Sequence, residues 1–133
     1  MTPQDIFIES FVKFLNYLAE QQRIGKIDKF RIFETYRRPF TQKELYKRGW
    51  TKTLHSLHTK FRAADVIVWI DGKPVTARPE KDENGRWKHL EKIQFIGEYW
   101  EKLHPNNRAG MFWKTICDPA HFQTENSVAQ KGW

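Results

Sequence analysis

The chain has a single cysteine, Cys117, among 133 residues, so no internal disulfide can brace it and an intracellular site of synthesis is expected. It has no apolar run near the roughly 20 residues that cross a bilayer, which excludes an integral membrane segment. It also lacks the form of a secretory leader: no basic start precedes an apolar block, and Asp5 and Glu9 interrupt the first apolar pattern. Internal repeats and a domain linker are absent. Acidic residues are in deficit, 16 against 23 Lys and Arg, for a formal net charge of +7. A positive surface favours polyanions such as nucleic acid, an acidic membrane face or an anionic cell wall polymer, and charge alone does not choose among them. Dispersed surface lysines without any such partner account for it equally well. No dense Lys/Arg helix or nucleic-acid motif is present, so nucleic acid ranks last as a partner.

What is present suits a globular protein. The apolar fraction is 39%, with 15% aromatic, and the length is that of one ordinary domain with a buried core. Ile6, Phe7, Phe11, Phe14, Leu15 and Leu18 recur at helical steps, which predicts a helix over 3–22. Thr2 is its N-cap, Pro3 its first residue and Gly25 its stop. Residues 29–36 alternate as a strand until Pro39, and 41–48 form a short helix ended by Gly49. Residues 50–61 lack periodicity and are expected as a loop. Ala63 to Ile70 reads as a buried strand closed by the turn pair Asp71-Gly72. Residues 72–86 are polar and read as a long surface loop. Its Asp82-Glu83-Asn84-Gly85 lacks the ligand spacing of a calcium loop. A helix is expected over 87–103, stopped by Pro105-Asn106-Asn107, followed by short strands at 111–117 and 120–124. The order implies an α+β domain over 1–124, with a small, largely antiparallel sheet flanked by helices, and a tail over 125–133.

Two segments carry chemistry. Ser56-Leu57-His58-Thr59-Lys60-Phe61-Arg62-Ala63-Ala64-Asp65 and Asp118-Pro119-Ala120-His121-Phe122 together offer two histidines, one carboxylate as a third metal ligand, and a spare carboxylate. Such a set suits an open zinc site with one position left for water, and a free aspartate could take that water's proton. Asp65 opens the apolar run Val66-Ile67-Val68, where a carboxylate is costly unless paired or metal-bound. Asp118 and His121 are three apart across a proline and can face one cleft. The competing reading, aspartates hydrogen-bonded to loop backbone, stays ahead on the residues alone. His55 competes with His58 for a ligand role, and His89 and His104 are read as ordinary surface or core histidines.

These segments resemble those of the zinc D-alanyl-D-alanine carboxypeptidase and L-alanyl-D-glutamate endopeptidase family, whose fold is shared with the hedgehog signalling domain. The family pattern Ser-x-His-x-x-Gly-x-Ala-x-Asp is matched by Ser56, His58, Ala63 and Asp65; its acidic residue three before a His-Phe pair is matched by Asp118, His121 and Phe122. Glu34-Thr35-Tyr36-Arg37 with Gln42 and Leu45-Tyr46 resembles the family's arginine motif. Tyr99 to Arg108 resembles the short phage members. The likeness runs in family order over residues 6–124. Phe61 departs from it, standing where many members have Gly, and the loop is expected to take a different path there. Ala109-Gly110 stands where a Gly-Gly pair is common before Trp113.

The resemblance implies a hedgehog/D-Ala-D-Ala peptidase-like fold and a Zn²⁺ ion held by His58, Asp65 and His121. It implies Asp118 as general base, Arg37 steadying the carbonyl oxygen or a substrate carboxylate, and Ser56 supporting the loop at the substrate. The implied substrate is the peptidoglycan stem peptide, cut at L-Ala-D-Glu, with the basic surface meeting an anionic wall polymer. A D-Ala-D-Ala carboxypeptidase is the first alternative, and a catalytically inactive zinc or cell-wall-binding module the second. The implied setting is phage lysis, with the protein made in the cytoplasm without a signal peptide and acting on the wall after release.

Overall fold

The computed structural model describes residues 1–36, 38–49, 57–75, 83, 90–113 and 117–126; the side chains of residues 39–41, 58, 59 and 90 also lie outside the description. The chain opens with helix α1, Pro3–Arg23. Thr2 caps it reciprocally: its hydroxyl accepts from Asp5 N–H, and the Asp5 carboxylate accepts from Thr2 N–H at 3.1 Å. Strand β1 is Lys29–Glu34 and helix α2 is Pro39–Lys47, so Pro39 opens this helix at its first turn as well as ending the strand. A 3-10 turn, Leu57–Lys60, leads into β2, Ala63–Ile70. Asp71 and Gly72, both at positive φ (54° and 78°), turn β2 back into the short β3, Lys73–Val75. A second 3-10 turn, Leu90–Lys92, precedes α3, Gln94–Leu103. Strand β4 is Asn107–Ala109, a third 3-10 turn is Gly110–Phe112, and β5 is His121–Thr124.

The strands form one antiparallel sheet in the order β1-β2-β5-β4, with β3 paired to β2 beyond the end of β5. The fold is therefore α+β, with the antiparallel sheet flanked by helices. Among the described residues, no helix is long and apolar enough to cross a membrane. Successive strand residues face opposite sides. Ala64, Val66, Val68 and Phe122 face α1 and α3, in a core with Phe7, Phe14, Leu18, Ile96 and Trp100. Phe14 lies 4.6 Å from Phe122 and 5.2 Å from Trp100, ring centre to ring centre. The Trp100 indole N–H donates to both the Arg108 and Gln123 carbonyls at 3.2 Å, tying α3 to β4 and β5. Asp65, His121 and Gln123 alternate with those core residues on the strands.

Several expected boundaries shift. The helix expected over 87–103 starts only at Gln94, behind the 3-10 turn; its residues 87–89 lie outside the description. Leu90, Ile93 and Ile96 are three apart, and that step is the 3-10 period as much as an α-helical one. The strand expected at 111–117 is replaced at Met111 and Phe112 by the 3-10 turn, because the Gly110 carbonyl draws the chain back, accepting from Trp113 and Asp118 N–H (3.2 and 3.0 Å). Strands β3 and β4 arise inside segments read as loop and as helix stop. The loop expected at 50–61 contains the 3-10 turn, with 50–56 outside the description.

Phe61 takes the strained conformation itself. It adopts φ 56°, the left-handed region that Gly favours. Arg62 N–H donates to the Leu57 carbonyl at 3.0 Å, the six-to-one bond that closes a helix whose next residue is left-handed. The Phe61 ring meets Phe7 edge-on at 6.3 Å and lies 6.1 Å from Tyr36, so ring contacts offset the backbone strain of about 1–2 kcal/mol. Replacing Phe61 by Gly or by Ala removes the same ring, but only Ala keeps the strain. Phe61→Gly should therefore be the more stable of the two variants by about 1 kcal/mol in urea denaturation. Equal stability, or a more stable Ala variant, would contradict a left-handed Phe61.

Candidate metal centre

The β2–β5 ladder sets the site. Asp65 is the Cα partner of His121, flanked by Ala64 opposite Phe122 and Ala63 opposite Gln123, and Val66 N–H donates to the Ala120 carbonyl at 2.8 Å. Asp118 enters from the turn that starts β5. Pro119 fixes φ in this turn, the Asp118 carboxylate accepts from Ala120 N–H at 3.2 Å, and the Asp118 carbonyl accepts from His121 N–H at 3.2 Å. Loop-backbone bonding is thus realised at Asp118, and it aims the carboxylate inward. One ligand atom from each of Asp65, Asp118 and His121 lies within 4.8 Å of the others, and all three side chains are half-buried.

His121 has distinct partners on its two ring nitrogens. Nδ1 lies 3.2 Å from Asp65 Oδ1, and Nε2 lies 2.6 Å from Gln123 Oε1. Trp113 covers the ring at 5.2 Å between centroids. Burial pulls the imidazole pKa down, but the hydrogen bond and charge of Asp65, the Gln123 acceptor and the Asp118 charge outweigh it and hold the pKa above the ordinary histidine value. The site therefore favours a positive species at Nδ1. A metal cation meets the same demand. Nitrogen and oxygen donors suit zinc, and two ligands of a tetrahedral zinc with ~2.0–2.1 Å bonds stand about 3.3 Å apart, close to the Nδ1–Oδ1 separation. The donor set and spacing of Asp65 and His121 therefore fit a zinc ion.

Of the expected site residues, the structure brings Asp65, Asp118 and His121 together. The His58 backbone lies in the 3-10 turn just before β2, and its side chain is outside the description; Arg37 and Ser56, with His55 and His89, lie wholly outside it. His104 is structural: its Nδ1 accepts from Asn106 N–H at 3.0 Å. Cys117, next to Asp118, is no nucleophile. Burial and the Asp118 charge push its thiol up to about 11, and it donates to the Met111 carbonyl at 3.4 Å. Sequence reasoning gave Gln123 no role. The period of two in a strand was the available signal, since it puts residue 123 on the face of His121.

Gly110 is the floor of this turn. A Cβ there would lie 2.5 Å from the Asp118 carbonyl oxygen, 3.1 Å from His121 Cβ and 3.2 Å from Asp118 Cβ. A backbone oxygen cannot yield as a flexible side chain does, so Gly110→Ala must move Asp118 and His121. The variant should fold with a loss of about 1–3 kcal/mol and bind zinc at least about tenfold more weakly in chelator competition. Wild-type zinc affinity would show that this close approach does not position the site.

No protein-family model matches the chain, and no curated protein matches it. Among solved structures it is similar to the L-Ala D-Glu endopeptidase ChiX of Serratia marcescens, at 23% sequence identity and a TM-score of 0.47. The similarity covers 72% of this chain and 66% of that one, just under two thirds of its length.

Proposed function

We propose that the chain is a zinc-dependent peptidase of the peptidoglycan stem peptide that cuts the L-Ala-D-Glu bond. The observation that carries the reading is the convergence of Asp65, Asp118 and His121, two motif segments distant in sequence, with ligand atoms within 4.8 Å. In this reading Asp65 and His121 hold the ion with His58 as third ligand, the set that the family resemblance implies. The chemistry supplied by bound zinc is Lewis-acid polarisation of the scissile carbonyl and acidification of the attacking water. Asp118 takes the proton from that water and passes it to the leaving amine, and its Oδ1 bond to Ala120 N–H keeps it oriented for the transfer. Arg37 holds the carbonyl oxygen or a substrate carboxylate with its fork of donors. Ser56 supports the loop. The resemblance of Tyr99 to Arg108 to the short phage members supports a role in wall lysis and favours internal cleavage over trimming of a terminal D-alanine.

The purified protein should carry about one zinc per chain by elemental analysis, lose activity on chelation and regain it with zinc. Mass spectrometry of digested peptidoglycan should show new N-terminal D-glutamate. Release of free D-alanine without clearing of the wall would transfer the assignment to a carboxypeptidase, and zinc and wall binding without cleavage would make the chain a binding module. A fully active metal-free preparation would remove the proposal.

Metal binding and proton transfer should separate by mutation. Asp118→Asn keeps shape and hydrogen bonding but cannot accept the proton, so it should retain zinc while turnover falls by roughly 10²–10⁴. His121→Ala should lose both. Loss of zinc from a folded Asp118→Asn protein would instead make Asp118 a ligand.

A further inference from the structure

Beyond the ligands, a hydrogen-bonded chain leaves the far side of His121. Nε2 meets Gln123 Oε1 at 2.6 Å, and the Gln123 amide nitrogen donates to Glu125 Oε1. Gln123 is 8% exposed. The buried Arg62 guanidinium acts electrostatically on Glu125, and it donates to the Thr124 carbonyl at 3.1 Å and to Asn126 Oδ1. The polarity of this chain is determined by its end. An ionised carboxylate only accepts, so the NH₂ of Gln123 must face Glu125. The amide oxygen then faces His121, and Nε2 must be the nitrogen that carries hydrogen. A flipped amide would set oxygen against oxygen at Glu125. In the neutral ring the lone pair therefore sits on Nδ1, aimed at Asp65 Oδ1 3.2 Å away. Without this chain the ring would gain by carrying its hydrogen on Nδ1 and donating to Asp65, and that hydrogen would occupy the ligand position.

We infer that Gln123 and Glu125 are positioning residues that hold His121 in its Nε2–H tautomer, so that Nδ1 faces Asp65 as a ready metal ligand. The inference rests on the zinc reading for its consequence, but the tautomer itself is a property of the metal-free protein. Arg62 sets a positive charge beside the Glu125 end of the chain. Gln123→Met keeps length and burial and removes the acceptor. Glu125→Gln keeps the shape and removes the acceptor-only end, so the amide can turn either way.

Imidazole ¹⁵N shifts of the zinc-free protein, at a pH where His121 is neutral, should show Nε2–H in the wild type. They should show a shift towards Nδ1–H in Gln123→Met and a smaller one in Glu125→Gln. Zinc affinity by chelator competition should fall about 10–100-fold in Gln123→Met, and less in Glu125→Gln. Should Gln123→Met fail to fold, Glu125→Gln, at a less buried position, carries both measurements. A wild-type Nδ1–H tautomer, or unchanged tautomer and affinity in the folded variants, overturns the inference. If both variants bind zinc as the wild type does, with the tautomer unmoved, the relay falls and the zinc reading stands. A Gln123-dependent Nε2–H tautomer in a protein that binds no zinc upholds the relay and removes the zinc reading instead.

Discussion

Asp65 and His121 face each other across β2 and β5, and that register is the constraint on which the site depends. A slip of one residue between antiparallel strands turns every side chain to the other face. Here it would send Asp65 into the aromatic core and bring Ala64 or Val66 to the site. The register is held from the opposite side of the sheet. Phe122 packs against Phe14 and Trp100, and the Trp100 indole bonds carbonyls of both β4 and β5. The helices and the site thus share the same two strands, and packing on one face determines which polar groups meet on the other.

The second determinant is close backbone approach. The Gly110 carbonyl receives two amides, from Trp113 and Asp118, while its missing side chain leaves room for the turn that carries Asp118 and His121. Trp113 and Asp118 are therefore both tied back to Gly110, and Met111 and Phe112 form a 3-10 turn in place of a strand. Carboxylates converge there on one histidine, which raises the pKa of that histidine and makes the same point a favourable seat for a cation. A neighbouring thiol is kept protonated by burial and the Asp118 charge.

Much of this was legible in the residues. Helix α1 followed from a long amphipathic repeat with Thr2 as N-cap, and β2 from a run rich in Val and Ile ended by Asp71-Gly72. The pairing of Asp65 with the Asp118–His121 segment followed from the family resemblance of the two motifs, not from the residues alone. Strands β3 and β4 were not legible, because three residues are too few for a period of two to register. The 3-10 turns were missed or merged into helix and strand for the same reason. Phe61 was misjudged because a left-handed cap is decided by the turn closing around Leu57 and by rings from α1 and beyond β1, all remote in sequence. The Gln123–Glu125 chain was signalled only by strand alternation, and its meaning depends on which atoms donate. The expected roles of His58, Arg37 and Ser56 fall on groups outside the described ones.

The central claim is that one zinc ion sits where β2 and β5 bring Asp65 and His121 together. Anomalous diffraction at the zinc edge from crystals of the zinc-loaded protein tests it most directly. The account predicts one strong peak bonded to His121 Nδ1, an Asp65 oxygen and the His58 ring, with the Asp118 carboxylate nearby and unbonded. A peak at any other place, or bonded through His121 Nε2, or no peak from a protein saturated with zinc, would contradict it.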